Sequence, residues 1–494
     1  MTLAAPLLDW DGLRRMLTEA PSRRLWVVGD LILDQYLEGP VERISPEAPI
    51  QVVQVSSEFE RIGGAGNVAH GCAALGAQVS LCGAIGRDPE GDRLLTALQA
   101  AGIDTSAVAR VAHRPTTRKL RVVSRNQQIV RLDWEQRDAV DPALLCSGLD
   151  RLAEGELPHA ILLSDYAKGV LSAAVVTEVL ERAARLGVPV IADPKLAFHL
   201  YRGAMALTPN LRELRWEHAR LFPDAGSDDV VAQARRLVES LAVEALVVTQ
   251  GGAGMTLCSR DGTATRIPAL RLEVCDITGA GDTVLAALGL GVACGMELVP
   301  AARIANLAAG LAVAKVGTAV VRPEELAAAA RPTAAGKILG PEDLAARLDA
   351  WRSEGHRIVF TNGCFDLLHA GHLHLLREAA GLGDVLLVGL NSDASVARLK
   401  GKGRPLVPAA ERAEMLAAIE MVDGVVVFDQ DTPLELIDEI LPDVLVKGSE
   451  WAADEVVGRQ TVESRGGTVV LVERLADRST TRILARVRDG EPRS

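Results

Sequence analysis

Short apolar runs of strand length recur along this chain, and stretches of helix length separate nearly all of them. Leu25–Val28, Gln78–Leu81, Ala160–Leu163, Val188–Ala192 and Ala245–Thr249 form one series. Ile358–Thr361, Val385–Leu390, Gly424–Phe428, Val444–Val446 and Thr468–Val472 form a second. Strand–helix alternation predicts an α/β chain with mainly parallel sheets, because parallel neighbours need long crossovers and those crossovers cover the sheet. Between the two series lies a seam: Arg322-Pro323, an alanine run, then Arg331-Pro332-Thr333-Ala334-Ala335-Gly336. Its alanine, proline and glycine predict a linker ending in a helix over Pro341–Ser353. The expected organisation is one domain over 1–330, a linker over 331–355 and a second domain over 356–494.

Two stretches break the alternation. Ile50–Val55 and Thr117–Asp133 read as strands with no helix between their halves. In the latter, Arg125-Asn126-Gln127 is flanked by strand-like halves, the pattern of a hairpin. Their mixed polar faces predict a small separate sheet able to cover a site.

The overall charge narrows the partners. Lys and Arg total 53 against 65 Asp and Glu, a formal net charge of −12. Proteins that hold nucleic acid usually carry a basic excess, so no nucleic-acid partner is expected. Small phosphorylated ligands need only a few local cations. Seven cysteines, an odd number without CxxC spacing, argue against a disulfide framework or a zinc site. The N-terminus lacks a basic region followed by an apolar run, and the longest uncharged apolar stretch, Thr283–Met296, is too short to span a bilayer. A cytoplasmic chain without a membrane partner is expected.

The strongest local signal is Asp276-Ile277-Thr278-Gly279-Ala280-Gly281-Asp282-Thr283, ahead of an apolar helical stretch. Glycines opening a helix aim backbone N–H groups at an anion, and the helix dipole adds to the attraction. Asp282 beside such an anion can take a proton from an attacking hydroxyl. A glycine-rich turn with an N-capping aspartate is the plainer alternative. Gly64-Ala65-Gly66-Asn67-Val68-Ala69 also fits a dinucleotide fingerprint, but the preceding Ser57–Arg61 is charged rather than a buried strand, so that context is missing. No GxxxxGK[ST] loop occurs.

The DxTGAGD string resembles the carbohydrate kinases that include ribokinase. The resemblance implies a three-layer α/β domain with a small β lid. It makes Asp282 the catalytic base, with the Gly279, Ala280 and Gly281 amides on the transferring phosphoryl group. Gly63, Gly64 and Asn67 are similar to the family's sugar-binding glycine signature, and Asp30 to its hydroxyl-binding aspartate. Asn210 and Glu213 resemble its NxxE element, which helps organise phosphates and magnesium, with Glu213 as the candidate metal contact. Thr249 and Gly251 fall in a stretch like its nucleotide-side loop. Arg43–Pro49, Thr116–Arg121, Asn126-Gln127-Gln128 and Ser164–Gly169 resemble the heptose 7-phosphate kinase branch. Arg118, Lys119, Arg121 and Arg125 crowd one hairpin. They form either a solvated basic face or a clamp for a phosphorylated substrate, with Arg118 and Arg121 as the expected sugar-phosphate contacts. Lys195, after a strand end, is either a phosphate contact or a surface lysine.

In the second series, Thr361–His372 follows a strand and precedes a helix, and it contains GxFDxxHxGH. Two imidazoles at a helix start can hold a triphosphate and stabilise charge on phosphorus and on leaving pyrophosphate. The stretch resembles the cytidylyltransferase-like nucleotidyltransferases, implying a Rossmann-like domain. His369 and His372 would be catalytic. Gly363, Phe365, Asp366, Lys400, Arg404, Lys447, Ser479, Thr480 and Thr481 would bind nucleotide.

The order of the two units resembles the family of bifunctional heptose kinase/adenylyltransferases that make ADP-heptose. The resemblance implies ATP and heptose phosphates as small-molecule substrates and magnesium as cofactor. It also implies a homodimer and a separate bisphosphate phosphatase acting between the two steps. The same architecture acting on another sugar phosphate or with CTP, and a nucleotide-binding regulator with one inactive site, are the alternatives.

Overall fold

Along the strand Arg24–Gly29, alternate side chains enter two different cores: Leu25 and Val27 one, Trp26 and Val28 the other. Ala160–Ser164 and Ala245–Thr249 divide in the same way, with Leu162 and Val247 on one side and Leu163 and Val248 on the other. A sheet covered on both faces needs apolar residues at every position, which is why these strands read as unbroken apolar runs. The computed structural model describes residues 10–473 except 126, 224–228, 270–274, 316, 318, 331–333, 354, 402 and 450–455. They fall into two compact units, one within Pro6–Arg331 and one within Pro332–Ser494.

The first unit is built on a nine-stranded sheet. Arg24–Gly29 lies between Ala160–Ser164 and Gln78–Gly86, parallel to both. The sheet continues in parallel to Ala245–Thr249, and two antiparallel strands, Met255–Ser259 and Ala264–Ile267, finish that edge. The apolar run Thr283–Met296 lies mostly in the helix Ala280–Ala293, buried at every position from Val284 to Ala293. A Cβ on Gly289 would come within 2.3 Å of Leu162, so glycine there lets this helix approach the sheet closely.

A separate four-stranded sheet forms a lid, in the order Ser57–Gly64, Leu31–Glu38, Arg118–Ser124, Gln127–Trp134. The expected hairpin is present, pairing Lys119 with Asp133 and Arg121 with Arg131. Two expectations need correction. Gln51–Val53 leaves the lid and pairs with Val41–Ile44 in its own ribbon. Ser57–Gly64 is a strand after all. It forms the lid edge, where one side faces solvent, so its charged residues are tolerated. It runs antiparallel to Leu31–Glu38, so it is not the parallel strand of a dinucleotide-binding unit.

The second unit is an all-parallel five-stranded sheet, ordered Gly424–Phe428, Val385–Asn391, Ile358–Gly363, Val444–Gly448, Thr468–Val472. Strand order reverses on either side of Ile358–Gly363, and ligands of such sheets bind at the carboxyl ends beside that reversal. The expected linker 331–355 does not behave as one. The helix Pro341–Ser353 buries Leu344, Leu348 and Trp351 in this unit's core, and Ile338 bridges to Val425. Apolar spacing on that helix outweighs the loose composition before it. Among the described residues, no helix is long and apolar enough to cross a membrane.

Candidate active sites

In the first unit, Asp282 occupies the first turn of Ala280–Ala293 and is 3% exposed. Asn67 Nδ2 donates to one carboxylate oxygen at 2.8 Å, and the Tyr166 hydroxyl to the other at 2.7 Å. Burial raises the Asp282 carboxyl to about 6, while the two donors pull it down and Asp34 adds to the rise. Burial and the neighbouring carboxylate hold the Tyr166 phenol well above its usual value, so it stays a donor. A base of this strength is ionised at neutral pH and can still accept a proton.

Gly279, in the left-handed region at φ 80°, caps the same helix. The Ala280 amide turns back to the Ile277 carbonyl at 3.4 Å, and the other first-turn amides, which a helix leaves without an internal acceptor, can point at an anion. Asp276 holds this turn in place. One of its oxygens accepts from the Thr278 amide and hydroxyl, and the other from the Gly317 amide.

Asp30 does not fit its expected role. Its carboxylate, 1% exposed, accepts the amides of Tyr166, Lys168 and Val170, so it pins the Ser164–Gly169 turn rather than offering oxygens to a sugar. Asp34, four residues on, is the carboxylate whose charge acts on Asp282. It accepts from Arg121 at 2.5 Å, and a Cβ on Gly63 would lie 2.3 Å from its Oδ2. Gly63 therefore makes room for this carboxylate. Gly64, at φ 61°, starts the turn into the helix Ala65–Ala74 that carries Asn67. The signal for Asp34 is an acidic residue in the middle of a buried strand, on the face shared with Tyr36.

Arg118 and Arg121 separate. They are an odd number of residues apart, so they emerge on opposite faces of the lid. Arg121 pairs with Asp34, whereas Arg118 bonds Glu90 at 3.0 Å and stacks 3.7 Å over the Trp134 ring. The charge of Asp34 acts on Asp282, so the structure brings the Asp34–Arg121 face toward that carboxylate and does not bring Arg118 with it.

On the other side of Asp282, Asn210 and Glu213 form a capping box at the start of Leu211–Leu221. The second Glu213 oxygen pairs with Lys195 at 2.5 Å. Both residues are thus engaged in shaping the strand-to-helix turn, and Lys195 is no free surface lysine. Asp193 was not anticipated. Burial, followed by the Glu213 charge, raises its carboxyl to about 8. Thr249 bridges to Asn210 at the strand end, and Gly251 opens the next turn at φ 57° with open space around it.

In the second unit, Gly363 ends the Ile358–Gly363 strand and Phe365 follows at φ 43°. His369 caps the helix Ala370–Ala380, its Nδ1 accepting the Gly371 amide at 3.1 Å. The His369 and His372 rings stack 3.8 Å apart, with Phe365 at 5.0 Å from His372. Lys447, from the neighbouring strand, donates to Asn362. Two imidazoles, a lysine and a helix N-terminus thus meet where the strand order reverses.

Asp366 and Arg404 form an ion pair, and Asp366 also accepts the Leu406 and Val407 amides. Burial pushes this carboxyl up, but Arg404 and the amides outweigh it and hold it below the usual range. The pair tethers a loop rather than presenting two separate contacts. Lys400 ends the helix Asp393–Lys400 and is exposed. Ser479, Thr480 and Thr481 lie outside the described residues. Arg412 was missed. Its guanidinium, fully buried, donates to the carbonyls of Cys364, Asn391 and Val407 and pairs with Asp393.

Comparison with known proteins agrees with both halves. Residues 22–325 match the pfkB family carbohydrate kinases, and residues 360–486 the cytidylyltransferase-like family. The first unit shares its fold with ribokinase from Thermotoga maritima, at a TM-score of 0.52 and 22% identity over 62% of this chain and 99% of that one. The bifunctional protein HldE of Geotalea uraniireducens is 48% identical over 96% of this chain and 98% of its own length. The bifunctional protein HldE of Bradyrhizobium diazoefficiens is 45% identical over 99% and 100%. The chain therefore belongs to the bifunctional HldE family, a sugar kinase joined to a nucleotidyltransferase.

Proposed function

We propose that the first unit transfers the γ-phosphoryl group of ATP to the anomeric hydroxyl of D-glycero-β-D-manno-heptose 7-phosphate. The second unit then adenylylates heptose 1-phosphate from ATP, giving ADP-heptose and pyrophosphate. The observation that carries this reading is the pairing of two unlike centres in one chain. One is a buried carboxylate base beside a cationic lid, and the other a stacked histidine pair at a helix N-terminus.

In the first step, Asp282 takes the hydroxyl proton, with Tyr166 and Asn67 fixing both of its oxygens. The Gly279-Ala280-Gly281 turn holds the transferring phosphoryl group. Asp34 accepts a sugar hydroxyl. In the second step the nucleophile is a phosphate oxygen that needs no base. His369, His372 and Lys447 position the triphosphate and oppose the charge that develops on it.

Magnesium enters with ATP. No group of three or more His, Cys, Asp or Glu among the described residues could hold a metal by itself. Asp193 and Glu213, however, crowd negative charge, and a carboxyl raised to about 8 is one that an added cation would favour in its ionised form. Asp193 and Glu213 would hold the ion together with ATP oxygens, Glu213 by releasing Lys195, and the ion would supply neutralisation of phosphate charge.

We also place the enzyme in the cytoplasm, where ATP is available, and read it as a homodimer. Val130, Leu132 and Trp134 leave apolar surface exposed on the outer face of the lid, away from Arg121. The two steps do not join directly, since the kinase product carries a distal phosphate that the transferase substrate lacks. A separate phosphatase acts between them. With heptose 7-phosphate, ATP and magnesium, the pure protein should accumulate the bisphosphate, followed by mass spectrometry. ADP-heptose should form only after a bisphosphate phosphatase is added. Rapid ADP-heptose formation without it, or a preference for CTP, would overturn these substrates.

A further inference from the structure

Both donors that fix Asp282 hang on the lid. Asn67 does so directly, because its helix, Ala65–Ala74, starts where the lid strand Ser57–Gly64 ends. Tyr166 lies in the Ser164–Gly169 turn, and side chains tie that turn to the lid. The chain enters the strand Arg118–Ser124 through residues 112–117 and leaves the strand Gln127–Trp134 through residues 135–141. Arg114 is on the entering leg. It donates to the Asp138 carbonyl at 2.9 Å and the Gln136 carbonyl at 3.0 Å, both on the leaving leg. It also donates to the Lys168 carbonyl, two residues past Tyr166. One guanidinium thus joins both legs to the turn that carries Tyr166.

Among the described residues no carboxylate pairs with Arg114. The charges of Asp30 and Asp138 offset only part of the cost of burying it, so the three carbonyls are what hold it. A second tie lies beside the first. Lys168 bonds Glu135, the residue after the last lid strand, at 2.5 Å and holds that carboxyl below its usual range. The Val140 amide donates to the Gly169 carbonyl at 2.8 Å. On the core side, Asp30 takes the amides of Tyr166, Lys168 and Val170. The turn is gripped from two sides, and its grip on the lid legs centres on Arg114.

We propose that Arg114 is a positioning residue for phosphoryl transfer: by tying the lid legs to the Ser164–Gly169 turn, it sets the Tyr166 hydroxyl against Asp282. The donor set of the base is therefore complete only with the lid legs in register. The other charged groups acting on Asp282 are Asp34 on the lid, Asp193 at a strand end and Lys195 just after it. Among the described residues none of them bonds Arg114 or the carbonyls it holds, so loss of Arg114 reaches the base through Tyr166. A planar fork that spans three carbonyls fixes direction as well as distance, which a lysine ammonium does not.

This inference rests on the kinase reading above, and the test separates the two. Phosphorylation of heptose 7-phosphate is followed on full-length protein across about pH 5 to 8. Wild-type protein that phosphorylates no sugar phosphate overturns the kinase reading itself. Given wild-type turnover, Arg114→Ala should move the acid limb of kcat to higher pH by about half a unit, and no further than Tyr166→Phe does. KM for ATP should stay within about twofold, which general loosening of the domain would not allow. Arg114→Lys keeps the charge without the fork and should shift the limb in the same direction, so it carries the test if Arg114→Ala does not fold. Added to Tyr166→Phe, either Arg114 change should produce no further shift, because both act through one hydroxyl. A limb that stays in place in folded Arg114→Ala or Arg114→Lys, or a shift that persists undiminished in the Tyr166→Phe background, would overturn the proposal.

Discussion

The two centres are assembled in opposite ways. Among the described residues, the proposed transferase centre comes mainly from one contiguous stretch, Asn362 to His372, joined by Lys447 from the adjacent strand. The proposed kinase centre gathers Asp34, Asn67, Tyr166, Asp193 and Asp282 from five separate segments. The chemistry accounts for the difference. A neutral hydroxyl must lose its proton, so the kinase needs a carboxylate that is buried, raised in pKa and held from both sides. Such control requires partners from several elements. A phosphate nucleophile is already charged, so the transferase needs only donors around the triphosphate, and a strand end meeting a helix start provides them.

The sharpest way to break this comparison is to remove the base. Asp282→Asn keeps the shape but cannot take the proton, and kinase turnover should fall ~10²–10⁴-fold. Adenylyl transfer from heptose 1-phosphate should stay near wild type. Loss of both activities in a protein that still melts cooperatively would show that the centres are not separate.

The reciprocal change is expected to cost less. His372→Ala removes one donor of several, so adenylyl transfer should drop ~10²–10³-fold while kinase rates persist. Full transferase activity in this variant would leave the stacked pair as a helix start and nothing more.

The smallest effect is the most discriminating. Wild-type kinase activity should fall as pH drops through about 6, where Asp282 takes up a proton. The Tyr166 hydroxyl favours the ionised form, so Tyr166→Phe should raise the pKa and move the acid limb to higher pH, by about half a unit to one unit. Rates measured from pH 5 to 8 decide it. A limb that stays in place would mean that Tyr166 does not tune the base.

How much was legible in advance follows the same division. The local transferase motif could be read directly, because spacing along a strand-loop-helix fixes where each side chain goes. The glycine-opened helix start at Gly279 was equally plain. The sugar side was not. Asp30 and Asp34 both lie near the first strand end, and only the three amides converging on Asp30 reveal which carboxylate is already used. Arg118 and Arg121 looked like a pair until strand alternation set them on opposite faces. Asn210 and Glu213 carried a helix-start signature as well as a functional one, and the capping geometry makes the first visible. Long-range partners such as Tyr166 for Asp282, 116 residues apart, leave no local trace.

Arg412 bears on the timing of order in the transferase domain. Its guanidinium joins the carbonyl after Gly363 to the ends of two other segments, with its charge matched by Asp393. A cation sealed in this way cannot be half-released, because an unpartnered buried charge is strongly destabilising. The Cys364, Asn391 and Val407 carbonyls are therefore held to one another as soon as the domain folds, so this part of the frame around the strand end needs no ligand to order it.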